Sequence, residues 1–158
     1  MSGGSNTGYI NLNNAGASAA VQDAVVSITQ SDGSNTTNVK MLGAGNNLTA
    51  TQSGGGATID SDVNAGQTTQ TITTSGGSAN SVTTRLTGDK GTVTVAMVGG
   101  SNTASITQDG GGANGHVTAI DVNGSGNSIT TVQQGTIDTT VNLKSVGSNN
   151  TFQITSKN

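Results

Sequence analysis

The sequence predicts an all-β fold, a β-solenoid of two-arm repeats about 22 residues long. Three observations predict it. A short phrase returns along the chain: Gln30-Ser31-Asp32-Gly33, Gln52-Ser53-Gly54-Gly55, Thr74-Ser75-Gly76-Gly77, Gln108-Asp109-Gly110-Gly111 and Gln133-Gln134-Gly135. The first three start 22 residues apart and the last two 25 apart. Between the phrases, apolar residues alternate with polar ones at the period of two that marks strands. Proline is absent from all 158 residues, which fits uninterrupted backbone ladders because proline removes a donor from a sheet.

Composition narrows the architecture further. Only 30% of residues are hydrophobic and 1% aromatic, too little apolar surface for a broad core. Disorder would ordinarily follow from such values, but charged residues are only 8%, whereas disordered chains are rich in charge and proline. Thr is β-branched and suits strands; Gly and Asn suit the left-handed positions of tight turns. The mixture is that of a narrow stack of strands and turns, one domain over residues 1–158.

In chain order, residues 1–24 match the repeat poorly and are expected to form a cap or docking segment, as terminal repeats of solenoids do. Residues 17–26 carry a weak helical stripe that still reads better as strand. The repeats run over residues 25–158. Each has a first arm with a Gly-Asn start, a β-rich run and the Gln-x-Gly exit, as in Gly45-Asn46-Asn47-Leu48-Thr49-Ala50-Thr51-Gln52. A second arm follows the glycine-rich turn, as in Thr37-Asn38-Val39-Lys40-Met41-Leu42 and Thr58-Ile59-Asp60-Ser61-Asp62-Val63. Glycines 33, 54, 76, 110 and 135 mark the repeat turns. Between Thr74 and Gln108 an extra strand is expected near residues 88–99, reached through Gly88-Asp89-Lys90-Gly91, as a hairpin or as a coil with a third side. The last stretch, Gly147 to Thr155, is a first arm with no second, so the final coil is half a coil. Six to seven coils at the sheet spacing make a rod of roughly 30 Å, with unpaired strand edges at both ends.

Charge and motifs exclude several classes of function. Net charge is −3, and Lys40, Arg85, Lys90, Lys144 and Lys157 are scattered. Nucleic-acid binding needs a basic stripe and stacking aromatics, whereas Tyr9 and Phe152 are the only aromatic residues. No apolar run is long enough to cross a bilayer as a helix, and the start Met1-Ser2-Gly3-Gly4 lacks the pattern of a secretory signal. Without Cys, disulfides and thiolate metal sites are excluded.

Candidate chemistry is sparse. Asp60 and Asp62 share one strand face, with Asp121 and Asp138 as remote candidates to join them. Carboxylate pairs roughly 5–9 Å apart hydrolyse glycosides, but outward strand positions are polar anyway and the chain has no Glu. His116 is the sole histidine and reads as a turn-edge residue rather than a metal ligand. The turns Gly54-Gly55-Gly56 and Gly110-Gly111-Gly112 lack the Lys-Ser/Thr ending and following helix of a phosphate loop. No catalytic, cofactor or metal site is expected. The strongest signal is the stack itself: Gln30, Gln52, Gln108 and Gln133 are expected in one register, with Asn46, Asn102, Asn127 and Asn149 in another. Amide ladders of this kind rigidify cross-β stacks.

At Gln30-x-x-Gly33-x-Asn35 and Gln108-x-Gly110-x-x-x-Asn114 the chain resembles the curlin repeat of bacterial curli fibres, whose motif is Ser-x5-Gln-x-Gly-x-x-Asn-x5-Gln. The second Gln of that motif is mostly replaced here, with Val39 or Met41 in its place. The resemblance implies a two-arm β-solenoid that polymerises. More loosely, an Asn/Gly/Thr-rich chain that opens Met-Ser-Gly-Gly is similar to fibre and appendage proteins of bacteriophage virions. The expectation is a non-enzymatic structural protein that self-associates through its open ends, as a filament or with other fibre or virion proteins, on a virion or in an extracellular fibre. A secreted curli-like functional amyloid is the alternative. An adhesin or ice-binding surface module is a third reading, although the pairs Thr49/Thr51, Thr71/Thr73 and Thr92/Thr94 do not fall at one constant place in the repeat.

Overall fold

Alternation of small apolar and polar residues, cut every six to nine residues by glycine-rich turns, produces thirteen strands among the described residues. The computed structural model describes residues 1–12, 23–43, 45–64, 67–77, 79–88, 90–110, 115–135 and 139–157. The strands are β1 (Thr7–Leu12), β2 (Val25–Gln30), β3 (Thr36–Leu42), β4 (Asn47–Ser53), β5 (Thr58–Asn64), β6 (Thr69–Ser75) and β7 (Ala79–Thr87), followed by β8 (Thr92–Val98), β9 (Ser101–Asp109), β10 (Val117–Asn123), β11 (Ser128–Gln134), β12 (Thr140–Val146) and β13 (Thr151–Lys157).

Successive strands fall in two sheets by turns. Odd strands form a seven-stranded sheet in the order β1-β3-β5-β7-β9-β11-β13, and even strands a six-stranded sheet in the order β2-β4-β6-β8-β10-β12. Every strand pair is parallel, for example β4 with β6 through Leu48↔Gln70 and Ala50↔Ile72. Two strands and two turns make one coil, and each coil lies on the one before it. The molecule is a β-solenoid.

The interior is as thin as the composition requires. In the six-stranded sheet Ile28, Ala50, Ile72, Val95 and Ile120 form one inward column and are all buried. Opposite, the column Val39, Ser61, Thr84, Ile106 and Thr131 is partly polar, yet equally buried. Gln70 reaches from the facing sheet into this polar stretch: its Oε1 accepts from Ser61 Oγ at 2.9 Å and from Thr84 Oγ1. A hydrogen-bonded contact therefore stands where a larger protein would place hydrocarbon.

The turns stack as tightly as the strands. A Cβ on Gly76 (φ +84) would come 2.7 Å from the carbonyl oxygen of Gly54 in the coil below, so both conformation and space demand glycine there. The same corner continues through Gly99, whose added Cβ would lie 2.9 Å from Gly76 O. Gly135 stacks in the opposite corner, where a Cβ would come 2.6 Å from Gly110 O.

The extra strand expected near 88–99 is present, and its place in the stack is now defined. The extra strand near 88–99 is neither a hairpin nor a third side. It is β8, a regular rung paired in parallel with β6 and with β10. The first residues are also more than a covering segment, because Thr7–Leu12 is a rung in register with β3 (Tyr9↔Asn38). The helical stripe at 17–26 falls partly on residues 13–22, outside the described residues; its end, from Val25, is strand.

Candidate functional site

Glutamine at the last inward position of a strand faces the core beside the turn, where an amide must bond along the stack or stay unsatisfied. Gln52 Nε2 donates to Gln30 Oε1 at 2.6 Å and to Thr37 Oγ1 at 2.7 Å, and Thr37 Oγ1 donates to Gln30 Oε1 at 2.9 Å. Gln133 Nε2 donates to Gln108 Oε1 at 3.0 Å, and Thr118 Oγ1 donates to the same oxygen at 3.0 Å. All four glutamines are buried.

The expected single register of four is two ladders. Gln30 and Gln52 close β2 and β4 in the six-stranded sheet, whereas Gln108 and Gln133 close β9 and β11 in the seven-stranded sheet. The cause is β8. Inserted as one whole arm, it moves every later first arm to the opposite sheet, so Thr74 is followed in its column by Met97 of β8 and not by Gln108.

The asparagines divide in the same way. Asn102 Nδ2 donates to Asn127 Oδ1 at 2.9 Å, and Asn127 Nδ2 donates to Asn150 Oδ1 at 2.9 Å. Asn80 starts this run by donating to Asn102 Oδ1 at 2.9 Å, and Asn6 donates to Asn35 Oδ1 at 3.0 Å in the same corner. Asn46 stands across the core in the corner before β4, where its Oδ1 accepts from Ala24 N at 3.0 Å. Asn149 is an exposed turn residue with φ +58, and its neighbour Asn150 is the rung. The ladders expected from the sequence left out Asn80, Asn150 and Gln70, and Asn35 entered only through the curlin-like motif. Asn35 and Asn150 each stand one residue before the first outward position of their strand, β3 or β13, whereas Asn80 is the first inward residue of β7.

The carboxylates do not converge. Asp60 and Asp62 lie on the outer face of β5, and Asp121 lies on the outer face of β10 in the other sheet; Asp138 is outside the described residues. Asp62 is instead flanked in register by Lys40 and Arg85, and Asp121 by Lys144, which it meets at 3.2 Å. His116 does sit at a corner, before β10, but it is buried rather than at an edge. Of the turn glycines, Gly111 and Gly112 are outside the described residues. Among the described residues no group of three or more His, Cys, Asp or Glu is placed to hold a metal.

Outward threonines are more regular than the sequence implied. Thr49, Thr71 and Thr94 share one outer column of the six-stranded sheet, and Thr51 and Thr73 share the next. Thr92 belongs with Thr69 one position earlier.

The ends of the stack are its most distinctive surfaces. At the C-terminal end, Phe152 and Ile154 occupy inward columns, following Ile129 and Thr131, yet they are 42% and 51% exposed because none of the described residues forms a rung over them. At the other end Tyr9 of β1 is 68% exposed. There Met1 and Ser2 pair with only the last residues of β2: the Met1 amine donates to Thr29 O and Ser31 N to Met1 O. The chain matches no protein-family model, no curated protein and no solved structure.

Proposed function

We propose that this protein is a non-enzymatic structural subunit, a β-solenoid that self-associates to form or decorate a fibre or a virion appendage. The observation that carries this reading is the open C-terminal end, where core-column residues Phe152 and Ile154 stand exposed beside the free edges of β12 and β13. Apolar core residues next to unpaired backbone groups template the addition of another strand. The buried glutamine and asparagine ladders suit the same role, because they stiffen the stack along the direction in which it would grow. Sedimentation and electron microscopy of the purified chain test the reading. Filaments or concentration-dependent oligomers are expected; a monomer at all concentrations contradicts it. Growth into thioflavin-positive amyloid from dilute protein distinguishes the curli-like version.

The aligned threonine columns favour a second reading, a flat binding face of the adhesin or ice-binding type. Ice-recrystallisation inhibition by the chain, lost in Thr71→Tyr, supports it, and absence of inhibition removes its ice-binding form.

A further inference from the structure

We infer that copies of this chain join head to tail with a half-turn about the stack axis, so that β1 of one copy pairs with β12 of the preceding copy and β2 with β13. The inference rests on the self-association proposed above and names its geometry.

The first support is the shape of the ends. Among the described residues the seven-stranded sheet carries the terminal rung at both ends, β1 and β13, and the six-stranded sheet stops one half-coil short at both, apart from the bridge Ser2↔Ser31. Stacking without rotation sets β1 on β13 and leaves an empty rung between β12 and the next β2. A half-turn brings the six-stranded sheet of the incoming copy over the seven-stranded sheet of the first. The step at one end then fills the step at the other, and every strand keeps a parallel neighbour.

The second support is independent, and it is the ladder. β8 shifts the glutamine column from one sheet to the other within each chain. The half-turn shifts it back, so the column Gln108, Gln133, Ser156 runs on into Gln30 and Gln52 of the next copy. Two buried atoms without hydrogen-bond partners face this junction from its two sides: Gln133 Oε1, an acceptor, and Gln30 Nε2, a donor. Ser156 lies between them in the continued column; with Thr139 Oγ1 as the donor in its 2.9 Å contact with Ser156 Oγ, that hydroxyl keeps one hydrogen to donate and one lone pair to accept. The asparagine corner behaves alike, with Asn102, Asn127 and Asn150 leading to Ala24 and Asn46 of the next copy. On the outer face Asp121 and Lys144 lead to Lys40, Asp62 and Arg85, and the neutral Asn11 separates the two lysines that flank the junction.

The receiving end has room for part of the contact. A recess of about 400 Å³ opens between β1 and β2, lined by Met1, Tyr9, Ile10, Ser27 and Ile28. Met1 and Ser2 occupy the part of the β2 edge that the end of β13 would take, and the junction displaces them. A Cβ on Gly8 would sit 3.5 Å from Met1 Cε and 3.3 Å from Gln30 Nε2, so an apolar methyl lies close to the amide that Ser156 would satisfy.

Paired cysteines in this cysteine-free chain test the geometry. Ser27 and Gln153 are exposed, outward and at equivalent positions of β2 and β13. The half-turn brings them to neighbouring rungs about 4.8 Å apart, within the Cα separation a disulfide spans. Without rotation Gln153 meets Tyr9 instead. Under mild oxidation the variant S27C/Q153C is expected to give a covalent ladder of oligomers, and Y9C/Q153C none. A ladder from Y9C/Q153C alone overturns the half-turn and leaves self-association standing. Filaments that cross-link in neither variant overturn the end-to-end junction. Monomers in both variants and in the unmodified chain overturn the self-association reading itself. Circular dichroism melts matching the unmodified chain confirm that both variants fold.

Discussion

The coils before β8 and those after it are built from the same repeat, yet they are mirror assignments of it. In the first region the first arms are β2, β4 and β6 and lie in the six-stranded sheet, while the charged second arms, with Lys40 and Asp62, lie in the seven-stranded sheet. In the second region β9, β11 and β13 are the first arms and lie in the seven-stranded sheet, and Asp121 and Lys144 have moved to the six-stranded one. A β-solenoid accepts this exchange because each rung bonds to its neighbours through backbone groups that do not depend on side chains. What the slip costs is side-chain continuity. Gln52 is followed in its column by Thr74 and then by Met97, and both Gln52 Oε1 and Thr74 Oγ1 are buried without hydrogen-bond partners. The comparison teaches that the backbone ladder sets the stack and the amide ladder is subordinate to it.

Breaking the strand that separates the regions should have the largest effect. Val95→Pro places proline at a buried, central position of β8, between β6 and β10. It removes a ladder donor in the middle of a sheet, where proline is essentially not accommodated, and the buried group left unsatisfied costs about 1–3 kcal/mol besides the clash. The expected outcome in a urea titration followed by circular dichroism is loss of a single cooperative transition, with the two regions uncoupled or the chain unfolded. An unchanged transition would mean that β8 is not an integral rung.

Smaller effects sharpen the comparison. Gln52→Leu and Gln133→Leu each remove a donor from buried acceptors, and each is expected to destabilise by about 1–3 kcal/mol. Gln30→Leu and Gln52→Leu, in direct contact, should show a coupling energy of about 0.5 kcal/mol or more in a double-mutant cycle. Gln52→Leu and Gln133→Leu, in different ladders, should be additive within about 0.5 kcal/mol. Coupling in the second pair would join the two ladders into one.

The smallest effect is expected at Lys144. Its ion pair with Asp121 spans 3.2 Å, but the side chains are 71% and 54% exposed. Lys144→Ala should shift stability by less than about 1 kcal/mol, and less still in high salt, where exposed pairs are screened. A larger loss in thermal unfolding would make the outer charge column a structural element.

The strands were legible because their period of two is local, and so were the turns, because the glycines that mark them answer to a backbone requirement. Gly76 cannot take a Cβ beneath Gly54 O, and its phrase declares that in one dimension. The sheet assignment of Gln108 was not legible. It depends on counting arms between Thr74 and Gln108, and the segment at 92–98 reads as a hairpin or a third side until its neighbours β6 and β10 are known. Asn149 and Asn150 stand side by side, and only the turn geometry, with φ +58 at Asn149, decides which amide points inward. Gln70 was invisible for a related reason: its partners Ser61 and Thr84 come from the opposite sheet.

Nuclear Overhauser contacts of the Thr73 methyl test the central claim most directly, since Thr73 lies on the outer face at the strand before the slip. With β8 as the next rung of the six-stranded sheet, Thr73 and Ala96 are register partners about 4.8 Å apart, and a strong methyl–methyl contact between them is expected. If β8 instead left the stack and the glutamine arms shared one sheet throughout, Thr73 would contact Thr107 of β9. That contact, in place of the one to Ala96, would contradict the account.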